Sequence, residues 1–382
     1  MRIVVVDAIR TPVARAHPQS GAFRKVRADT LAGTLMSELW RRHGGGAHPP
    51  GAVVLGCARQ QAEQGFNIAR QSLIEGGLPC SVPALAVNRN CSSGLDAILL
   101  AAGRLATGQD DAVIAGGVEH MDHLPLDIHE PGKRFLEQHG PSAIRMGLCA
   151  EHLARTRAIS RVRQDAWAHQ SHSRAARAQD EGDYRDETIP CEAHDLAGNP
   201  FVLRSDDTVR RDSDMARLAS LNPVFLDGGT VTAGNASQVN AAAAAVLLMR
   251  ETDARDAGLK PLARVLSWAD AGVSPIEMGM GPVPAATKAL AKAGLSVGDI
   301  DRWEINEAFA AQVLAVIDEL KLDESRVNPR GGAIALGHPL GATGARLLVS
   351  MSRAMGRGDC RRGVVALCVG GGQGVAAVLE SA

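Results

Sequence analysis

The chain has 382 residues, a formal net charge of −1 and 45% hydrophobic residues. That is enough chain for two or three domains around a large core. The near-neutral balance argues against nucleic acid as the main partner, and aromatics at 3% leave Ala, Gly, Val and Leu to fill the interior.

Seven cysteines (Cys57, Cys80, Cys91, Cys149, Cys191, Cys360 and Cys368) are spread along the chain without a C-x-x-C pair. An odd, dispersed set suits a reducing cytosol better than a disulfide framework. The chain opens straight into Ile3-Val4-Val5-Val6 and holds no apolar run long enough to span a bilayer. The expected setting is therefore cytoplasmic, with no signal peptide.

The first part alternates strands and helices. Ile3 to Asp7 reads as strand. Asp29-Thr30 opens a helix through Trp40, with Leu31, Leu35 and Leu39 on one face. A Gly/Pro loop spans Gly44 to Gly51. Val53 to Cys57 is strand, Asn67 to Ile74 helix, Val82 to Val87 strand, Leu95 to Ala106 helix and Asp111 to Gly117 strand. Such alternation implies a mostly parallel sheet covered on both faces.

From Glu119 the pattern breaks. His120 to Arg145 is irregular, Leu148 to Arg157 and Arg161 to Gln179 read as helices, and Asp180 to Val224 is charged and poor in core residues. This long excursion is of the kind that provides binding surface. The alanine-rich stretch Val239 to Met249 reads as a helix. The tail then repeats the opening. Leu262 to Asp270 is strand, Pro284 to Ala293 helix, Trp303 to Asn306 strand and Glu307 to Leu320 helix. Gly331 to Gly341 reads as a Gly-rich strand and turn before a helix from Gly344. Val364 to Cys368 and Val375 to Leu379 form a hairpin around Gly370-Gly371-Gly372. The repeated order puts the Cys91 turn of the first half opposite the Gly337-His338 turn of the second.

Cys91 sits where an apolar strand turns into a helix, flanked by the small residues Ser92, Ser93 and Gly94. Free N–H groups and the positive helix end at such a turn lower a thiol's pKa. His338 lies on a tight turn before a helix, suited to take a thiol's proton and pair with the thiolate. Cys368 ends a strand beside three glycines, where a second thiol can act as acid and base toward carbon. Asn306 ends another strand and can hold a water for an oxyanion hole. Singly these read as a core cysteine, a turn histidine or a helix cap; together, at equivalent places of a duplicated chain, they read as one site.

The motifs in order are Val5 to Pro12, Asn88 to Gly94, Gly116 to Met121, Met146 to Glu151, Thr230 to Ser237, Asn306 to Phe309, Gly331 to Pro339 and Cys368 to Gly372. This series resembles the thiolases over essentially the whole chain. Glu63 to Arg70 and Gly117 to Met121 are similar to the thiolase subunit of bacterial fatty-acid oxidation complexes. The resemblance implies an α/β, duplicated five-layered α-β-α-β-α fold with an inserted loop domain. Residues 1–118 with 239–261 would form the half holding Cys91, 119–238 the CoA-binding loop domain, and 262–382 the half holding His338 and Cys368.

The implied activity is thiolysis of 3-ketoacyl-CoA. Cys91 would carry the acyl group, His338 would be its base, and Cys368 would protonate the leaving carbanion and then deprotonate CoA. His338 with an Asn306-held water would form one oxyanion hole, and the N–H groups of Cys91 and Gly370 the other. Ser237 and Ala236 would lie near the pantetheine, Met146 and Phe309 would line the channel, and Arg210 would meet a CoA phosphate. CoA is a substrate, so no cofactor is implied. A homodimer or homotetramer, and a hydratase/dehydrogenase partner subunit, would follow.

Gln238 stands where the family often has Gly, Ala241-Ala242 where it has Asp-Gly, and Arg330 where many relatives have Asn. A long Gln238 beside the pantetheine path would alter CoA affinity or chain-length preference. His120, His123 and His129 with Asp122 and Asp127 match no common ligand spacing, so a loop over the site is expected there rather than a metal. Gly370-Gly371-Gly372 lacks phosphate-loop context. Three rivals remain: a biosynthetic acetoacetyl-CoA thiolase, a decarboxylating condensing enzyme (which would lack Cys368), and a non-catalytic acyl-CoA binding protein.

Overall fold

The computed structural model describes residues 2–43, 50–124 and 130–382. The Gly44 to Pro49 part of the Gly/Pro loop, Asp127 and His129 lie outside the described residues. The frame begins with β1 (Ile3–Arg10), α1 (Ala28–Arg42), β2 (Ala52–Gly56), α2 (Ile68–Glu75), β3 (Ala84–Val87), α3 (Ser93–Ala106) and β4 (Ala112–His120). The excursion contains α4 (Met146–Thr156) and α5 (Arg161–Glu181). Then come β5 (Asn240–Arg250), β6 (Ala263–Gly272), α6 (Pro282–Ala293), β7 (Arg302–Ile305), α7 (Ala310–Leu320), α8 (Leu340–Arg357), β8 (Arg362–Val369) and β9 (Gln373–Ser381).

The strands form one ten-stranded mixed sheet in the order β7-β8-β9-β6-β1-β5-β4-β2-β3, with the short strand Ala14–Arg15 paired beside β5. β2 pairs in parallel with β3 and β4, and β7 with β8; the other pairs of the frame are antiparallel. Within the sheet, the two halves join where Ile3, Val4 and Val5 pair with Val265, Arg264 and Ala263. Where the first half has β3, the second has an isolated parallel bridge between Trp303 and Val327.

Side chains alternate across a strand, and here each face has its own core. Val4, Val6 and Ile9 of β1 pack outward with Leu31 and Leu35 of α1 and Leu73 of α2. Ile3, Val5 and Ala8 pack inward with Ile98 of α3 and Leu347 and Met351 of α8. In β9, Ala376 and Val378 join α6 and α7 through Leu290 and Val313, while Val375 and Ala377 face the inner core. Helices α1 and α2, the first half-sheet, α3 and α8, the second half-sheet, and α6 and α7 thus stack as successive layers. β1, β2, β4, β5 and β8 are buried on both faces, which is why they read as near-continuous apolar runs, whereas β3 and β6 keep exposed positions.

Several element readings are corrected. The Val239 to Met249 stretch is not a helix but the fully enclosed strand β5, in which Ala243, Ala245 and Leu247 face one core and Ala244, Val246 and Leu248 the other. Alanine's helix preference is small, and strand pairing on both edges overrides it. The Gly331 to Gly341 segment is no strand: it holds a short helix, Ala333–Leu336, before the His338 turn. α7 begins at Ala310 rather than Glu307, and β4 continues through Glu119 and His120. The irregular segment to Arg145 also holds a short helix, Lys133–His139.

Candidate active site

Cys91 lies in a single tight turn, Asn90–Ser92, that runs directly into α3. Asn90 just before it has φ 47°, in the left-handed region that asparagine tolerates and most residues do not. The turn is pinned on several sides. Asn90 Nδ2 donates to Gly370 O at 3.1 Å, Ser93 Oγ donates to Asn90 O at 2.7 Å, and Arg89 N donates to Ser93 Oγ at 2.9 Å. Asn90→Ala should therefore cost about 1–2 kcal/mol, the penalty for left-handed backbone without asparagine. Urea unfolding of the variant checks this, with Asn90→Gly expected to retain most of the stability.

The Cys91 turn packs on α8 and on the end of β8. Burial pushes the Cys91 thiol up to about 11; the Gly370 N–H pulls it down and the Glu119 carboxylate adds to the rise. The expectation of a thiol acidified by the helix start is thus corrected, because desolvation outweighs the N–H groups. Cys91 rests as a thiol and needs a base.

His338 supplies a neutral one. Thr343 Oγ1 donates to Pro339 O at 2.8 Å, so its oxygen accepts from His338 Nδ1–H at 2.7 Å. That tautomer, assigned from the network, leaves a lone pair on Nε2, 3.3 Å from Asn306 Nδ2. Burial and the Arg346 guanidinium push His338 down to about 3. Burial thus favours the neutral form of each of the two groups, so the ion pair between them has to form by proton transfer. The His338 N–H donates to Asn240 Oδ1 at 2.9 Å, and Asn306 Oδ1 is buried with no protein partner among the described residues.

Cys368 is buried at the end of β8, and burial with the neighbouring Cys91 and Cys149 thiols holds its pKa far above the usual thiol range. It shares an apolar cluster with Ala236, Phe309 and Cys149, on which Met146 packs. Ala236 bridges Phe309, and Ser237 N donates to Ala308 O at 3.0 Å. A cleft of about 840 Å³ lined by Arg145, Met146, Leu148, Phe225, Val239 and Phe309 opens here. A methyl placed on Gly370 would lie 3.4 Å from Met146 Sδ, so the cleft wall adjoins the glycine that faces Cys91.

The structure thus brings Cys91, His338, Cys368, Asn306, Gly370, Met146, Phe309, Ala236 and Ser237 to one region. Arg210 lies near Arg15 and Arg217, and burial with these two cations lowers its pKa. Gln238 does not extend along the cleft; its Nε2 donates to Thr208 O at 3.1 Å and Ile334 O at 3.3 Å, tying the excursion to the segment before His338. Arg330 is buried, bonded to Ser350 and Glu187, and packs over the Tyr184 ring. His120 and His123 stack on each other and bind Phe23 O and Glu63, so they brace a loop. Among the described residues no three His, Cys, Asp or Glu side chains come together as a metal site.

Sequence reading missed Thr343, Asn240 and Glu119. Thr343 sits in the first turn of the helix after His338, five residues along the chain, a spacing that no helical i,i+3 or i,i+4 rule picks out. Asn240 was hidden by the helix reading of β5, and Glu119 was quoted only as part of a motif.

The chain matches the family model for the thiolase N-terminal domain over residues 3–252 and that for the thiolase C-terminal domain over 259–381. It is 46% identical to a 3-ketoacyl-CoA thiolase of Escherichia fergusonii and 45% identical to one of Salmonella typhimurium, each covering 99% of both chains. Among solved structures it is similar to human mitochondrial 3-ketoacyl-CoA thiolase, with TM-score 0.91, 34% identity and coverage of 100% of this chain and 99% of that one. It is also similar to the Bacillus anthracis acetyl-CoA acetyltransferase, with TM-score 0.90, 37% identity and the same coverage. Two family models spanning both halves, and near-full-length relatives, lead to one conclusion: the chain belongs to the thiolase family.

Proposed function

We propose that the chain cleaves 3-ketoacyl-CoA with CoA, giving acetyl-CoA and an acyl-CoA shortened by the departing acetyl unit. The observation that supports this reading is that the Cys91 and Cys368 thiols are neighbours, Cys368 lies in the apolar cluster whose Met146 and Phe309 line the cleft, and the helix after His338 packs on the Cys91 turn. His338 Nε2 takes the Cys91 proton, and the thiolate attacks the keto carbon. The new imidazolium and an Asn306-held water stabilise the oxyanion. The bond between the keto carbon and its neighbour breaks, and Cys368 gives its proton to the departing carbanion. The Cys368 thiolate then takes the proton of incoming CoA, which attacks acyl-Cys91 under the N–H groups of Cys91 and Gly370. Cys91 leaves as thiolate and recovers its proton from His338, which closes the proton balance.

A chain-length series of 3-ketoacyl-CoA substrates with free CoA tests the reading, together with a mass spectrum after substrate without CoA. The expected results are turnover beyond the four-carbon substrate, which the apolar cleft favours, and an acyl mass on Cys91. Turnover confined to four carbons would favour the biosynthetic acetoacetyl-CoA reading. No turnover and no acyl mass would leave the non-catalytic binder.

The same reading includes at least a homodimer, and a hydratase/dehydrogenase partner in the cytoplasm. The open sheet edge at β3 with its exposed Leu85, and the nearby exposed Phe66, support self-association. Among the described residues no helix is long and apolar enough to cross a membrane.

A further inference from the structure

Glu119 ends β4 with its side chain buried, and it takes no part in the steps above. Its Oε2 accepts from Ala58 N and Gly341 N, each at 2.9 Å. Its Oε1 accepts from Gln64 Nε2 at 2.8 Å and Arg59 N at 3.2 Å. Cys57 Sγ stands 3.8 Å away on the donor side of the same oxygen. Burial raises the Glu119 pKa, and these donors oppose that rise by favouring the carboxylate; among the described residues no acceptor is hydrogen-bonded to it. Gly341 lies in the first turn of α8, where a negative charge is favoured by the helix dipole. The donors come from both halves of the molecule: residues 58–64 from the first, Gly341 from the second.

Glycines set the same contact. A methyl on Gly117 would lie 2.0 Å from Gly341 O, and one on Gly94 2.5 Å from the same oxygen. One on Gly341 would lie 2.6 Å from Val118 O and 2.9 Å from Glu119 Oε2. The helix after His338 therefore abuts the helix after Cys91 backbone to backbone, and Glu119 closes that seam.

We propose that Glu119 is a positioning residue for the reaction, fixing the His338 turn against the Cys91 turn and setting a negative charge beside the Cys91 thiol. The inference rests on the thiolysis reading for its kinetic arm only. The groups that act on the Cys91 thiol are the Glu119 carboxylate, the Gly370 N–H and the neighbouring Cys368 thiol; Arg89, two residues before Cys91, is paired with Asp96 and Asp270. Among these, Glu119 is the acidic group.

Two variants separate charge from reach. Glu119→Gln keeps the length and removes the charge; Glu119→Asp keeps the charge and draws it back from Gly341. The measurements are thiolysis kinetics, thermal unfolding, and the pH profile of Cys91 alkylation by iodoacetamide, read by mass spectrometry. Both variants should lose roughly 10-fold or more in kcat, with KM for CoA within about twofold, since a misplaced base slows chemistry more than binding. The alkylation profile should move to lower pH in Glu119→Gln and stay in place in Glu119→Asp. Wild-type kcat in either folded variant, an unmoved profile in Glu119→Gln, or failure of both variants to fold would overturn the proposal. If wild type shows no thiolysis at all, the functional reading fails, while the alkylation profiles still decide the role of Glu119.

Discussion

Cys91→Ala is expected to lower thiolysis by roughly 10⁴-fold or more, the scale seen when a covalent nucleophile is removed. Among the described residues, no other group of the site is placed to carry the acyl chain instead. Cys368 neighbours Cys91, but it is buried with a pKa driven far up, so it is a poor attacking thiolate at neutral pH. Cys149 is likewise buried, with its thiol held toward the Ser142, Ala143 and Pro275 carbonyls. The fold should survive, because Cys91 is only partly enclosed and an alanine fits its turn. The check is thiolysis at saturating substrate beside circular dichroism and the acyl mass. A folded variant with wild-type turnover, or an acyl mass on another cysteine, would sink the assignment of Cys91 as nucleophile.

Stability should fall steeply in mild acid. Burial with Arg346 pushes His338 down to about 3, burial with His123 pushes His120 down to about 4, and burial with Arg210 pushes His172 down to about 4. In the unfolded chain each titrates near about 6.5. Protons then bind the unfolded state first, so each group's contribution is fully present above about pH 6.5. It is lost as pH falls toward about 4. With all three neutral in the fold and charged in the unfolded chain, the slope near pH 5 approaches about 4 kcal/mol per pH unit. Urea midpoints at pH 8, 7, 6 and 5 measure it. A midpoint that stays level down to pH 5 would mean that these imidazoles are protonated in the fold or reached by water.

Much of the frame was legible because burial on both faces leaves a plain mark. β1, β2, β4 and β8 are short apolar runs, and the turns between them carry glycine or asparagine. The reactive groups were legible for a related reason: Cys91, His338, Cys368 and Asn306 each stand at a strand end or helix start, where a chain exposes its chemistry. β5 was not legible. A run of alanines has no period of its own, and only its neighbours β1 and β4 on either side make it a strand. With β5 misread, Asn240 could not be seen reaching the His338 backbone.

By itself the sequence determined which groups are present and in what order, and so the thiolase family and its two-thiol, one-imidazole chemistry. Only the tertiary structure decided their protonation. A helix start argues for an acidic Cys91, but the thiol's energy sums over everything that covers it, including Glu119 from another strand and the buried floor of the site. His338 likewise owes its neutrality to burial and to Arg346, two turns along the helix that follows it. Desolvation depends on what folds over a group rather than on what flanks it in sequence, so no local pattern could have shown that burial favours the neutral form of both groups.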